Sequence, residues 1–283
     1  TVSPFVDARI ATSNVVWWRV DSHNLPVALL IGDLVGPLSF SGHTLRAEHL
    51  RVPWGEGVVD ITAEVDTASK AVEVSVLGEG LHLGRVLRQT GGFASPWVDF
   101  EADIEAHAVG SLDPFTLAGP FEVDGIDLIV RDGVYDGRAD VMLDVPRGRL
   151  EGNLVVDATH IVLDAADVRF GPGHGSAWAD IGFLAQGPLR LRTDLRDLDL
   201  TWLSPLGGAG LGGRADLSGT LSGPFDRLLA SASLDVVDAV VLDYPIADRL
   251  SAHLDSDLKR LDFSQLRGDL GATHYLGNYS LVF

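Results

Sequence analysis

Two stretches of this sequence carry residue types that could do chemistry. Gly207 to Gly213 (GGAGLGG) contains G-x-G-x-x-G at Gly208, Gly210 and Gly213. Cradling a pyrophosphate on that pattern requires a strand before it and a helix N-terminus after it. The residues that follow, Arg214 to Thr220 (RADLSGT), alternate as a strand does, which favours a flexible loop over a dinucleotide site. Gly171 to Trp178 (GPGHGSAW) sets His174 beside Ser176 but lacks the G-x-S-x-G elbow. A nucleophile and base so close in a glycine-rich turn seldom engage each other, and a loop is expected here too.

The other ionisable residues are dispersed. No two of the nine histidines stand at H-x-x-x-H spacing on one element. His82, His160 and His253 fall in alternating stretches, where a solvent-facing or hydrogen-bonded role is expected. Asp194, Asp197 and Asp199 lack both the EF-hand loop and the G-G-x-G-x-D nonapeptide, so they read as a solvated strand face. No motif calls for a metal or a cofactor, and no catalytic constellation assembles, so the sequence points away from an enzyme.

The elements that would position any site are strands. Val59, Ile61, Ala63 and Val65 alternate with Asp60, Thr62, Glu64 and Asp66; after the turn-like Asp66 to Lys70, Val72, Val74 and Val76 alternate again, which predicts an antiparallel hairpin. Gly78 and Gly80 predict a bulge before Leu81 and Leu83. Alternation continues through Phe121/Val123, Ile126/Leu128/Val130, Ala139/Val141/Leu143/Val145, Leu154/Val156/Ala158 and Leu189/Leu191/Thr193/Leu195. It resumes in Leu198/Leu200/Trp202, Ala215/Leu217/Gly219/Leu221, Ala232/Leu234/Val236 and Ala252/Leu254/Ser256/Leu258. Val15 to Trp18 (VVWW) also read as a strand. Leu83 to Gly92 has helix-compatible spacing over about two turns at most and reads as a connector. Gly36-Pro37-Leu38, Gly119-Pro120-Phe121, Gly187-Pro188-Leu189 and Gly223-Pro224-Phe225 each predict a turn entering a strand, at uneven spacing.

Composition bounds the function. A chain of 283 residues that is 46% hydrophobic can bury a core, and 40 acidic against 21 basic residues, a net charge of -19, oppose binding to nucleic acid. Cysteine is absent, which excludes disulfides and thiolate metal sites. Leu25 to Gly32 (LPVALLIG) is far short of the roughly 20 apolar residues that span a bilayer. The absence of an initiator methionine and the apolar alternation at Tyr279, Leu281 and Phe283 suggest an internal segment of something longer. No linker forces a boundary, so residues 1–283 are expected to form one continuous segment, less regular over 1–33 and repeat-like over 34–283.

Three segments carry a family resemblance: Gly213 to Leu234 (GRADLSGTLSGPFDRLLASASL), Leu198 to Leu206 (LDLTWLSPL) and Leu45 to Glu64 (LRAEHLRVPWGEGVVDITAE). They resemble the degenerate repeats of the TamB and AsmA-like proteins of Gram-negative envelopes, in which a strand ending in a G-x-L-x-G-P turn leads into another strand; Leu83 to Leu87 fits the family's short leucine-rich connector loosely. The resemblance implies an all-β fold, an elongated curled sheet of mostly antiparallel strands with an apolar concave face and a charged convex face. It also implies a periplasmic bridge that conducts phospholipid between inner and outer membranes and supports outer-membrane biogenesis. Its partners would be acyl chains, an outer-membrane barrel protein and an inner-membrane anchor outside this segment.

On that expectation the groove is lined by Val59, Ile61, Val65, Val72, Val74, Val76, Val141, Leu143, Val145, Leu154, Val156, Leu189, Leu191, Leu195, Leu217, Leu221, Leu234 and Val236. The alternation serves a closed sandwich or β-helix equally well, which leaves a structural or adhesive envelope protein as the alternative. A carbohydrate-active β-helix would need clustered acids on neighbouring coils, which the sequence does not single out.

Overall fold

A strand whose side chains alternate apolar and polar hydrogen-bonds to its neighbour and leaves one greasy face. The computed structural model describes residues 5–20, 26–54, 56–82, 98–131, 141–182, 189–203, 210–224, 227–257 and 260–282, with side chains from 34 onward except 98–100, 126–131, 141–144, 146, 203 and 281–282. Sixteen strands follow one another: β1 Phe5–Val20, β2 Pro26–Ser41, β3 Thr44–Trp54, β4 Gly57–Asp66, β5 Ala71–His82, β6 Val98–Leu112, β7 Phe115–Arg131, β8 Val141–Asp157, β9 His160–Phe170, β10 Gly173–Gly182, β11 Leu189–Asp199, β12 Leu211–Gly223, β13 Leu229–Val241, β14 Tyr244–Ser256, β15 Arg260–Leu270 and β16 Thr273–Val282. They form one antiparallel sheet in strict chain order, which does not close: β1 and β16 each have a neighbour on one side alone. The fold class is that expected, all-β and antiparallel, and β1 and β2 belong to the same sheet.

Curling comes from bulges. Every odd-numbered strand from β3 to β15 contains one extra residue relative to at least one neighbouring strand. At six of these bulges the extra residue adopts a left-handed backbone: His49, Gly80, Gly125, Asp197, Asp238 and Gln265. A bulge bends its strand and increases local twist, so bulges on alternate strands coil the sheet. The predicted irregularity at Gly78 and Gly80 is one of them.

Side chains capture the N–H groups that bulging removes from the ladder. Gly80 N donates to Asp103 Oδ1 (2.8 Å), Asp197 N to Asp216 Oδ1 (3.0 Å) and Gln265 N to Asn278 Oδ1 (3.1 Å), the acceptor lying on the next strand each time. The orphan donor that would otherwise oppose the bulge is thereby satisfied. Hairpin turns are also stitched to one another along one rim. Thr67 donates through N and Oγ1 to the His43 carbonyl, both at 2.8 Å, and Leu112 N donates to the Lys70 carbonyl at 2.9 Å.

Three expectations are corrected. Gly36-Pro37 and Gly119-Pro120 lie inside β2 and β7 and do not open strands. Their glycines mark close backbone approach: a Cβ on Gly119 would sit 2.0 Å from the His107 carbonyl oxygen. Gly223-Pro224 does close β12 with a turn, where Arg227 N donates to the Pro224 carbonyl. Gly173 to Trp178 is not a loop but the start of β10, because Gly171-Pro172 alone makes the reversal and Gly175 packs against Asp194 without room for a Cβ. The Leu198/Leu200/Trp202 alternation is interrupted by a 3-10 helix, Leu200–Leu203, nucleated by Asp199 Oδ1, which accepts Thr201 N at 2.9 Å and Thr201 Oγ1 at 2.7 Å. The Leu83 to Gly92 connector, Gly187-Pro188, Gly207 to Ala209, Phe225, Ala139 and Leu258 lie outside the described residues.

The turn between β8 and β9 is organised by Asp157, whose Oδ1 accepts Thr159 N (2.6 Å), His160 N (2.8 Å) and Thr159 Oγ1 (2.8 Å). These donors, the Thr159 backbone first, hold its carboxyl below the usual value of 3.8. A carboxyl depressed in the folded state stabilises it at neutral pH and loses that contribution as pH falls through the depressed value. Asp157→Ala is therefore expected to lower the urea midpoint at pH 7, and the gap to the parent protein is expected to close as pH drops below 3.8. Denaturation across a pH series checks this.

Candidate functional site

Registration of the strands brings the apolar residues into rows that cross the sheet. One row runs Leu50, Ile61, Val76, Ala106, Phe121, Gly152, Ala165, Ala177, Thr193, Gly219, Ala232, Leu254, Phe263 and Tyr279, one residue from each strand from β3 to β16. Apart from the Thr193 and Tyr279 hydroxyls it carries no polar side-chain group. At about 4.8 Å per strand the row is roughly 60 Å long measured along the sheet. Parallel rows flank it, including Gly119, Leu154, Leu163, Ala179, Leu191, Leu221 and Ala230.

The expected lining residues fall into these rows. Val59, Ile61 and Val65 on β4 pair with Gly78, Val76 and Val72 on β5, and Val74 pairs with Ala63 and Ala108. Leu154 and Val156 face Leu163 and Ile161, while Leu189, Leu191 and Leu195 face Ile181, Ala179 and Gly175. Leu217 and Leu221 pair with Leu234 and Ala230, and Val236 with Ala215. Val145 is half-buried on β8, opposite Leu128. Val141 and Leu143 lie on β8, opposite Arg131 and Val130, with side chains outside the described residues.

The bulges keep all of this on one face. Ala47 and Leu50, Ala165 and Val168, Leu195 and Leu198, Val236 and Ala239, and Phe263 and Leu266 are each three apart, a step that would turn the second residue outward in a regular strand. The extra residue of each bulge restores the second one to the apolar face, where Ala239, Val168 and Leu198 join the core clusters. Of these core residues, Leu198, Ala215 and Leu81 follow from the alternation, whereas Val168, Ala239 and Ala102 do not. The signal that marks a residue restored by a bulge is the three-residue step itself, with histidine, aspartate, glutamine or glycine at the left-handed position.

Large side chains fill slots over facing glycines. Phe170 lies over Gly148, where a Cβ would come within 2.3 Å of its ring, and Phe121, opposite Gly152 in register, packs on Ala165 and Val168, two strands away. Tyr275 covers Gly268, where a Cβ would come within 2.0 Å of its ring, and its hydroxyl donates to the Ile246 carbonyl at 3.0 Å. Packing of this kind buries side chains against their own sheet. Among the described residues no second sheet covers them: each strand makes its substantial contacts with its immediate neighbours, and the 3-10 helix Leu200–Leu203 reaches further, touching β8 and β12. The result is a face whose residues are mostly half-buried. The chain exposes 16876 Å² in all, against about 12,000 Å² for a compact protein of its mass.

The opposite face is charged. Glu105, Glu122, Glu151 and Asp167 stand opposite one another on β6 to β9, a row of like charges that costs stability by itself. Arg149 interposes 2.8 Å from Glu122, and Arg169 forks onto Asp167, holding that carboxyl below the usual range. One line on this face has the composition of a hydrolytic triad: Ser75 Oγ lies 3.0 Å from His107 Nδ1, and His107 Nε2 lies 3.7 Å from Glu73. All three are exposed on flat strands whose backbone N–H groups serve the ladder, so no pair of donors remains to hold an oxyanion. His174 and Ser176 also point outward, exposed, on β10. A strand, not a helix, follows Gly210, which removes the dinucleotide geometry. Among the described residues no three histidine or acidic side chains group as a metal site.

Compared with known protein families, curated proteins and solved structures, the chain gives no match. Its apolar face is therefore the candidate site on physical grounds. Phe121 is the largest of the buried side chains in its central cluster and is 7% exposed. Phe121→Ala is expected to cost about 3 kcal/mol, whereas Val155→Ala on the charged face should change stability by less than about 0.5 kcal/mol. Urea titration of both variants checks the contrast.

Proposed function

We propose that the apolar face is a groove that holds phospholipid acyl chains and passes them along the sheet, in a bridge-like carrier joining inner and outer membranes across the periplasm. The observation that carries this reading is a continuous apolar row over fourteen strands which, among the described residues, meets no layer above it except the short 3-10 helix Leu200–Leu203. Together with the rows that flank it on either side, its area is on the order of 1,000 Å² from strand spacing and residue rise, above the few hundred Å² of the largest apolar patch on an ordinary soluble monomer. A surface of that size must be covered by something greasy, and acyl chains fit a trough that is long, narrow and nearly free of hydrogen-bonding groups. The charged face then meets water. The resemblance of Gly213 to Leu234 to AsmA-like repeats agrees in kind, and under it an outer-membrane barrel and an inner-membrane anchor are the partners.

Purified protein is expected to retain phospholipid in native mass spectrometry. Leu191→Glu places a charge in the middle of the groove and is expected to remove most of that lipid while the circular-dichroism spectrum keeps its β signature. Recovery of the parent protein lipid-free would contradict the reading, as would a variant that holds lipid as well as the parent.

A further inference from the structure

The charged face has a region built unlike the rest of it. Over β10 to β14 its outward positions are mostly short and hydroxylated. Ser176, Asp194, Ser218, Ser233 and His253 form one cross-strand row. Trp178, Arg192, Thr220 and Ser231 form the row beside it. Because the serines and threonine do not rise far above the backbone, a cavity of about 450 Å³ opens there, reaching from Asp164 on β9 to His253 on β14. A second hollow of about 410 Å³ shares Thr220 and Ser231 with the first and extends to Asp262 on β15, so the two form one elongated cleft.

At one end of the cleft the Arg192 guanidinium stacks on Trp178, its carbon 5.3 Å from the ring centroid, and makes a planar wall with N–H donors. In the middle, Ser231 Oγ lies 3.2 Å from His253 Nε2. Among the described residues no side-chain hydrogen bond engages the hydroxyls of Ser218, Thr220 or Ser233. The floor therefore offers groups that both donate and accept, flanked by carboxylate acceptors at Asp164 and Asp194 and by one guanidinium donor.

We propose that this cleft binds a neutral oligosaccharide. A sugar chain presents hydroxyls that donate and accept at every residue, which matches a floor of serine and threonine better than any ligand of one polarity. Charge argues against phosphate-bearing chains: the first cavity sets one arginine against two aspartates, and the second sets Arg260 against Asp255, Asp257 and Asp262. Peptide side chains would find no deep apolar pocket among these residues. The length fits an extended chain, since β9 to β14 spans about 24 Å at 4.8 Å per strand. The polar side chains of the cleft alternate along each strand with those of the apolar groove and so belong to the opposite face, although Ala177, Thr193, Gly219 and Ala232 of the apolar row also border the first cavity.

The test is calorimetric titration of the whole chain with maltotetraose, cellotetraose and chitotetraose, with polygalacturonate as the anionic comparison. Saturable binding of at least one neutral tetrasaccharide is expected, together with a loss of at least tenfold in affinity for Trp178→Leu and for the triple variant Ser218→Val/Thr220→Val/Ser233→Val. Valine is favourable in exposed strands, so the triple variant isolates the hydroxyls from the fold, and thermal melts of both variants verify folding. No saturable binding by any neutral probe, preference for polygalacturonate, or undiminished affinity in both folded variants would overturn the proposal.

Discussion

A strand presents alternate residues to alternate faces, so a single three-residue step between apolar positions sends everything after it to the wrong side of the sheet. This protein contains such a step in every odd-numbered strand from β3 to β15 and absorbs each with a bulge. The rest of the architecture depends on that coincidence. It keeps one face apolar from Leu50 to Tyr279, and it supplies the repeated bend that curls the sheet around that face.

The bulges are maintained by local chemistry. Left-handed residues such as His49, Asp197, Asp238 and Gln265 carry a backbone cost that glycine would avoid. The Asx side chains at Asp103, Asp216 and Asn278 offset the other cost, the N–H turned out of the ladder, by accepting it from the neighbouring strand. Glycines at 148 and 268 then let Phe170 and Tyr275 lie across the curled face, and glycine at 152 admits the backbone of Asp164. Each device is a cross-strand contact, which suits a sheet whose strands pair in strict chain order.

Much of this was legible in the sequence. Residues 57–82 alternate so regularly that the β4 and β5 hairpin and its face follow from period alone, and Gly78 and Gly80 announce their bulge. The other bulges were not legible, because a three-residue step looks like the end of one strand and the start of another until register is known. The Gly-Pro pairs misled for a related reason: glycine at 36 and 119 is required by a neighbour's backbone 2 to 3 Å from where Cβ would be, and no single strand reveals its neighbour. The hydroxyl-lined cleft of the charged face is likewise a product of register. It exists because Ser176, Ser218 and Ser233, scattered over 58 residues of sequence, come into one row.

Adjacent residues on one strand face opposite worlds in this account, and that is its most direct test. A photoreactive benzoylphenylalanine placed singly at Val74, Leu191 or Leu221, and at their neighbours Ser75, Arg192 or Thr220, samples the two faces a residue apart. Irradiation of cells expressing each variant should yield phospholipid adducts at the first three positions and none at the second three. Adducts of equal yield on both faces, or none on either, would contradict a lipid-bearing groove.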